Sequence, residues 1–163
     1  MERRNVFIAL AISFLLIVLA VVGYTWWRDE GGIGSSNALV SFRTPSNHPI
    51  NVSCEVASTT EQWGKGLSDR NSLANGSGML FVFPTTRDVS FWMKGTLIPL
   101  DIVFIDENKS VIGVSKAPTQ PGASDSQLVR YTAGGVRWVM ETNIGFCDVH
   151  GIANGTSLDI IYL

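Results

Sequence analysis

The residue types with most chemistry to offer sit close together: Trp92, Lys94, Thr96 and Asp101, with Glu141 further along the chain. An indole offers a flat face for stacking, an ammonium and a hydroxyl donate hydrogen bonds, and carboxylates accept them. In an extended segment Trp92, Lys94 and Thr96 share one face, because strand side chains alternate. Together these residues suit a shallow cleft. There Trp92 would stack on a sugar, peptide or flat ring while Lys94, Asp101 and Glu141 hold its polar groups. Arg70 is a further anion-binding candidate, or simply a solvated cation. Asp101 and Glu141 would also serve as an acid/base pair in hydrolysis if their carboxyls lay within about 5–10 Å of each other. A plainer reading uses the same residues for folding alone. Asp101 then caps the turn from Thr96 to Leu100, Lys94 pairs with Asp101 or Glu141, and Trp92 belongs to the core, since buried charge must be paired.

Other chemistries find little support. There is no Gly-x-Ser-x-Gly elbow, and His48 and His150 stand apart from the dense segment. No Cys/His group has zinc spacing, so neither a metal nor a cofactor is expected. Cys54 and Cys147 are the only cysteines. They form one disulfide in an oxidising compartment, or they are two buried thiols. From Ala38 onward there are 9 Lys and Arg against 11 Asp and Glu. With no basic excess or stripe, nucleic acid is not an expected partner.

The elements that must position these residues read mainly as strands. Ile50–Val56 alternates apolar Ile50, Val52, Cys54 and Val56 with polar Asn51, Ser53 and Glu55, as a half-buried strand does. Ser58-Thr59-Thr60-Glu61 matches a capping box and predicts a short helix to about Lys65, ended by Gly66. Met79–Phe83 reads as a strand stopped by Pro84, and Val89–Lys94 as another. Leu100–Ile105 and Ser110–Ser115 read as a hairpin around Asp106-Glu107-Asn108-Lys109. Leu128–Thr132 and Arg137–Glu141 flank Gly134-Gly135, Asn143–His150 suggests one or two helical turns, and Ser157–Tyr162 is the last strand. The pattern implies a mainly β (α+β) domain with two short helices. Its strands are expected to be mostly antiparallel, in a barrel-like or sandwich arrangement.

The location comes from the N-terminus. Val6–Trp27 is one uncharged apolar run, long enough at about 1.5 Å per residue to span a membrane as a helix. It ends in Tyr24, Trp26 and Trp27, aromatic residues suited to the interface, and Arg3 and Arg4 precede it. A cleaved signal usually has a shorter apolar core and a small-x-small cleavage site, so an uncleaved anchor fits better. The organisation expected is a cytoplasmic stub and transmembrane anchor over 1–28, a Gly/Ser linker over 29–37 and an extracytoplasmic β-rich domain over 38–163. Four Asn-x-Ser/Thr sequons, at Asn51, Asn75, Asn108 and Asn154, agree with an outside location.

One segment carries a resemblance. Gly78-Met79-Leu80-Phe81-Val82-Phe83 is followed by Ser90-Phe91-Trp92-Met93-Lys94-Gly95-Thr96-Leu97-Ile98-Pro99-Leu100-Asp101-Ile102-Val103-Phe104-Ile105. This resembles the family known as domain of unknown function 192. Its pattern is a Gly-Met-Leu-Phe strand, a Phe-Trp-Met-Lys-Asn-Thr segment and an Ile-Pro-Leu-Asp strand. Glu55-Val56-Ala57, Gly66-Leu67, Val139-Met140-Glu141 with Gly145, Gly151-Ile152 and Gly155 also fit. Gly95 stands where the family usually has Asn, and Ser68 where it often has Met, so any chemistry resting on that Asn is absent here. The resemblance implies a compact β-rich fold, often exported, and no established activity.

The functional expectation is a membrane-anchored, extracytoplasmic binding or accessory module of the cell envelope, leaning away from an enzyme. Its ligand would be a small molecule, glycan or peptide held near Trp92, Lys94, Thr96, Asp101, Glu141 and Arg70. The alternatives are a hydrolase of envelope carbohydrate or peptide using Asp101 and Glu141, and an assembly module docking another envelope protein through an exposed apolar patch.

Overall fold

The computed structural model describes residues 36–44 and 48–163. The expected transmembrane helix and most of the linker lie outside the described residues. Among those described, no helix is long and apolar enough to cross a membrane.

Seven strands and two short helices make up the domain: β1 Asn37–Arg43, β2 Pro49–Ala57, α1 Thr60–Lys65, β3 Ser77–Phe91, β4 Leu100–Ile105, β5 Val111–Ala117, β6 Tyr131–Asn143, α2 Phe146–His150 and β7 Ser157–Tyr162. All strands belong to one sheet of order β5-β4-β6-β3-β2-β1-β7. The chain is mainly β, with a mixed rather than purely antiparallel sheet. The exception is β2–β3, which is parallel, with Cys54 opposite Gly78 and Val56 opposite Leu80. The reason lies in the connection: α1 carries the chain back across the sheet, as a parallel pair requires. The two outer strands also meet. Ser110 bridges Ser157, and the Val111 and Leu158 amides donate to the Thr156 and Lys109 carbonyls.

Two expected strand pairs are in fact single long strands. β3 runs straight through Pro84, because its pairing with β6 is interrupted between Val82 and Arg87. Pro84 therefore removes no ladder hydrogen bond, and the Arg137 guanidinium donates to the Phe83 carbonyl instead. On the other side, β6 passes through Gly134-Gly135, with Gly135 at φ 71°. The helix α1 starts one residue later than the capping signature suggested. Thr59 is the N-cap, and Gln62 closes the reciprocal box onto the Thr59 amide.

The sheet buries both faces. One face packs Met79, Phe81, Phe83, Leu100, Ile102, Phe104 and Val139 with Leu67, Met93 and Ile98. On the other, Val40 pairs with Val52, Val56 with Leu80, and Met140 with both Leu80 and Val103, all buried. Gly78 lies where strands crowd most. A Cβ there would fall 2.6 Å from the Glu141 carbonyl oxygen and 3.3 Å from Cys54 Sγ. Both cysteines are free and buried, so the possible disulfide between Cys54 and Cys147 is not formed. Each instead fills apolar space on a different element, and burial pushes the Cys54 thiol up to about 12.

Candidate functional site

Glu141 sits on β6 between Met79 of β3 and Ile102 of β4, both core residues on the same face. It is 5% exposed, and no hydrogen bond or ion pair among the described residues engages its carboxyl. Loss of water raises its pKa to about 8, far above the ordinary 4.5. The carboxyl lies beneath the end of α1. There Gly66 adopts φ 47°, and a Cβ would meet the Phe81 ring at 3.3 Å and Glu141 Oε2 at 4.0 Å. Only glycine lets the chain turn so closely over this group.

Above Glu141 opens a pocket of about 220 Å³. Five aromatic residues line it: buried Phe81 and Phe83, half-buried Trp63 and Phe91, and exposed Trp92. Edge-on and tilted ring pairs fix the first four, with centroids 5.0 Å apart for Phe81–Phe91 and 5.1 Å for Trp63–Phe83. The Trp63 indole N–H is already committed to the Ala57 carbonyl at 3.0 Å. The rim carries Lys65, Ser68, Arg87, Asp88, Ser90, Lys94 and Thr96. Lys65 pairs with Asp69 at 2.5 Å and Lys94 with Asp125 at 2.7 Å.

The predicted residues divide between this pocket and other places. Trp92, Lys94, Thr96 and Glu141 all line it. They do not share a strand, however. β3 ends at Phe91, and Met93–Thr96 form a turn closed by the Thr96 amide on the Met93 carbonyl. Gly95 sits in that turn at φ 69°. This explains the departure from Asn in the motif, since Gly and Asn are the residues that best tolerate that backbone. Trp92 is not core: it is 39% exposed, with the Arg130 guanidinium 3.8 Å and Lys94 Nζ 5.8 Å from its ring centre.

Asp101 and Arg70 lie elsewhere. Asp101 pairs with Thr142 across β4–β6, so its side chain leaves the sheet on the face opposite to that of its neighbour's partner, Glu141. It is fully buried, and its Oδ2 accepts the Cys147 amide at 2.9 Å, capping α2 rather than the Thr96–Leu100 turn. Lys94 pairs with neither Asp101 nor Glu141. The two carboxylates therefore do not converge on one scissile bond. Arg70 forms a two-pronged pair with Glu55, at 2.5 and 2.6 Å, and this holds the Glu55 carboxyl below its ordinary range. His150 stacks on Phe146 in the last turn of α2, away from the pocket.

Trp63, Gly66, Phe81 and Phe83 were not anticipated as site residues. Gly66-Leu67, the Gly-Met-Leu-Phe strand, the Trp92–Thr96 turn and Glu141 are far apart in sequence, yet each contributes to the pocket lining. Their joint membership of one sequence pattern was the available signal. Among the described residues, no cluster of three or more His, Cys, Asp or Glu is placed to hold a metal ion.

Two solved structures share this architecture. One is a protein of Sinorhizobium meliloti 1021 described as a candidate transcription regulator, with 29% identity and a TM-score of 0.68. The match covers 79% of this chain and 97% of that one. The other, of unknown function, is from Novosphingobium aromaticivorans DSM 12444. It has 28% identity and a TM-score of 0.68, over 78% of this chain and 87% of that one. No curated protein matches. The model of domain of unknown function 192, described as an uncharacterized ACR, matches residues 42–160. With that match spanning most of the sequence, and the motif segments brought together around one pocket, the chain belongs to the domain of unknown function 192 family.

Proposed function

We propose that this chain is a membrane-tethered, extracytoplasmic binding module whose ligand inserts between the aromatic walls and reaches Glu141. One observation carries the reading: a buried carboxyl without a partner among the described residues lines an aromatic pocket. An unpaired buried carboxyl costs stability, and a ligand group is the partner that would offset this. The tether rests on the apolar run Val6–Trp27 and the arginines before it. The regulator description of the Sinorhizobium protein is not carried over, because a net charge of −2 with no basic stripe suits nucleic acid poorly. A two-carboxylate hydrolase has no support in the placement of Asp101 and Glu141 on opposite faces.

The test is a thermal-shift screen of the full chain with sugars, peptides and cell-wall fragments. At least one compound is expected to raise the melting temperature, and Trp92→Ala and Glu141→Ala are expected to remove the shift. If both substitutions merely lower stability and no compound shifts the protein, the pocket is structural.

A second reading, docking of another envelope protein, is favoured by one surface. Ile144 and Val149 are 39% and 80% exposed beside Ile50 and Phe146 in a shallow groove. Val149→Asp would then abolish capture of a partner from envelope extracts without altering ligand-induced shifts.

A further inference from the structure

We infer that the group received by the Glu141 pocket is an organic cation the size of a side-chain end, a primary ammonium or guanidinium on an apolar stem; this rests on the binding reading above. The polar inventory of the pocket decides it. Among the described residues Glu141 is the one buried polar side chain of the lining and has no partner; the Trp63 N–H is bonded to Ala57 and the Ser68 hydroxyl donates to the Lys94 carbonyl at 3.1 Å. A sugar seated beside Glu141, below the polar rim, would bring several hydroxyls against the rings of Phe81 and Phe83 and leave most of them unpaired. A single donor head on an apolar stem leaves none. The space is also small, about 220 Å³ against the roughly 300–1,000 Å³ typical of drug-sized ligands.

Charge points the same way. Five aromatic residues line the pocket, and ring faces attract cations, as Arg87 over Phe83 and Arg130 over Trp92 illustrate. The titratable and charged groups lining the pocket from other elements are Lys65 of α1, Arg87 and Asp88 of β3, and Lys94 of the turn; Tyr131 packs on the same core. Lys65 and Lys94 are neutralised by Asp69 and Asp125, while Arg87, 5.6 Å from the Phe83 ring centre, and Asp88 are exposed at the rim and make no ion pair among the described residues. Arg130 lies 3.8 Å from the centre of the exposed Trp92 ring and is not itself a lining residue. Among the described residues Glu141 is the buried acid of the pocket without a counterion, and an incoming cation supplies one as the carboxyl proton leaves to solvent.

Butylammonium and butylguanidinium, with butyramide and butyrate as neutral and anionic controls, test this by calorimetry on the full chain in nanodiscs between pH 6 and 9. Both cations are expected to bind, with affinity rising about tenfold per pH unit below the carboxyl's titration and levelling above it. Proton release should appear as a heat that depends on the buffer. Glu141→Gln is expected to weaken cation binding at least about tenfold and remove its pH dependence. The wild-type pH profile needs no variant, so a poorly folding Glu141→Gln would not blunt the test. Butyramide binding as well as the cations, or cation binding independent of pH, would overturn the inference while leaving a binding pocket. Binding of a sugar or neutral peptide alone would do the same. If nothing binds the pocket, both the inference and the reading beneath it fail.

Discussion

Glu141 is the residue on which most turns. In the unfolded chain its carboxyl titrates near the ordinary 4.5; in the native state it does so at about 8. Between those values the native state holds a proton that the unfolded state has released. Its stabilising share is thus complete below about pH 4.5 and is lost progressively as pH rises to about 8. The loss is on the order of 5 kcal/mol as an upper bound. Glu141→Gln removes that dependence. Thermal unfolding should show the variant and wild type alike near pH 5, with the variant more stable at pH 8. Equal melting temperatures at both pH values would mean the carboxyl is solvated or paired in solution. Glu141 was legible as a candidate because it lies in a motif and ends an apolar strand. Its isolation from Asp101 was not. Which face a residue takes depends on register, and the register of β4 against β6 spans loops that no local pattern fixes. Trp63 and Phe81 were missed for the opposite reason: in sequence an aromatic residue on a short helix or a buried strand is ordinary core.

The elements explain the rest of the motif. Asp101 holds α2 by accepting the Cys147 amide from within the core. Asp101→Ala is expected to cost about 2–4 kcal/mol, because a buried donor loses its partner, whereas Asp101→Asn keeps an acceptor and should cost less. Denaturant unfolding of the two variants measures the difference, and equal losses would remove the capping role. Gly95 gives a sharper comparison. At φ 69° in the Met93–Thr96 turn, Gly95→Asn should change stability by less than about 1 kcal/mol and Gly95→Val should cost more than that, since β-branched residues fit the left-handed region poorly. The strands expected at Met79–Phe83 and Val89–Lys94 merged because a bulge absorbs Pro84. Proline and paired glycines mark interruptions in a ladder, and sequence alone does not say whether the strand resumes on the same partner.

At the scale of the whole molecule, the β-rich class, the short helices near both motif segments and most strand positions were readable from alternation and turn residues. The parallel β2–β3 pair was not, because it depends on where α1 carries the chain. Cys54 and Cys147 are buried thiols, so neither should react with a thiol reagent in the native protein. Both should react once it is unfolded, and rapid native labelling would contradict their placement. The tether makes a separate prediction: a reporter that works only outside the cytoplasm, fused after Leu163, should be active, and one active only in the cytosol would remove the envelope setting. The most direct test of the binding role is chemical-shift mapping of the full chain in nanodiscs against amines, guanidines, sugars and short peptides. The expected result is a set of perturbed resonances centred on Trp63, Phe81, Trp92 and Glu141. Perturbation confined to Ile144–Val149, or none with any compound, would contradict it.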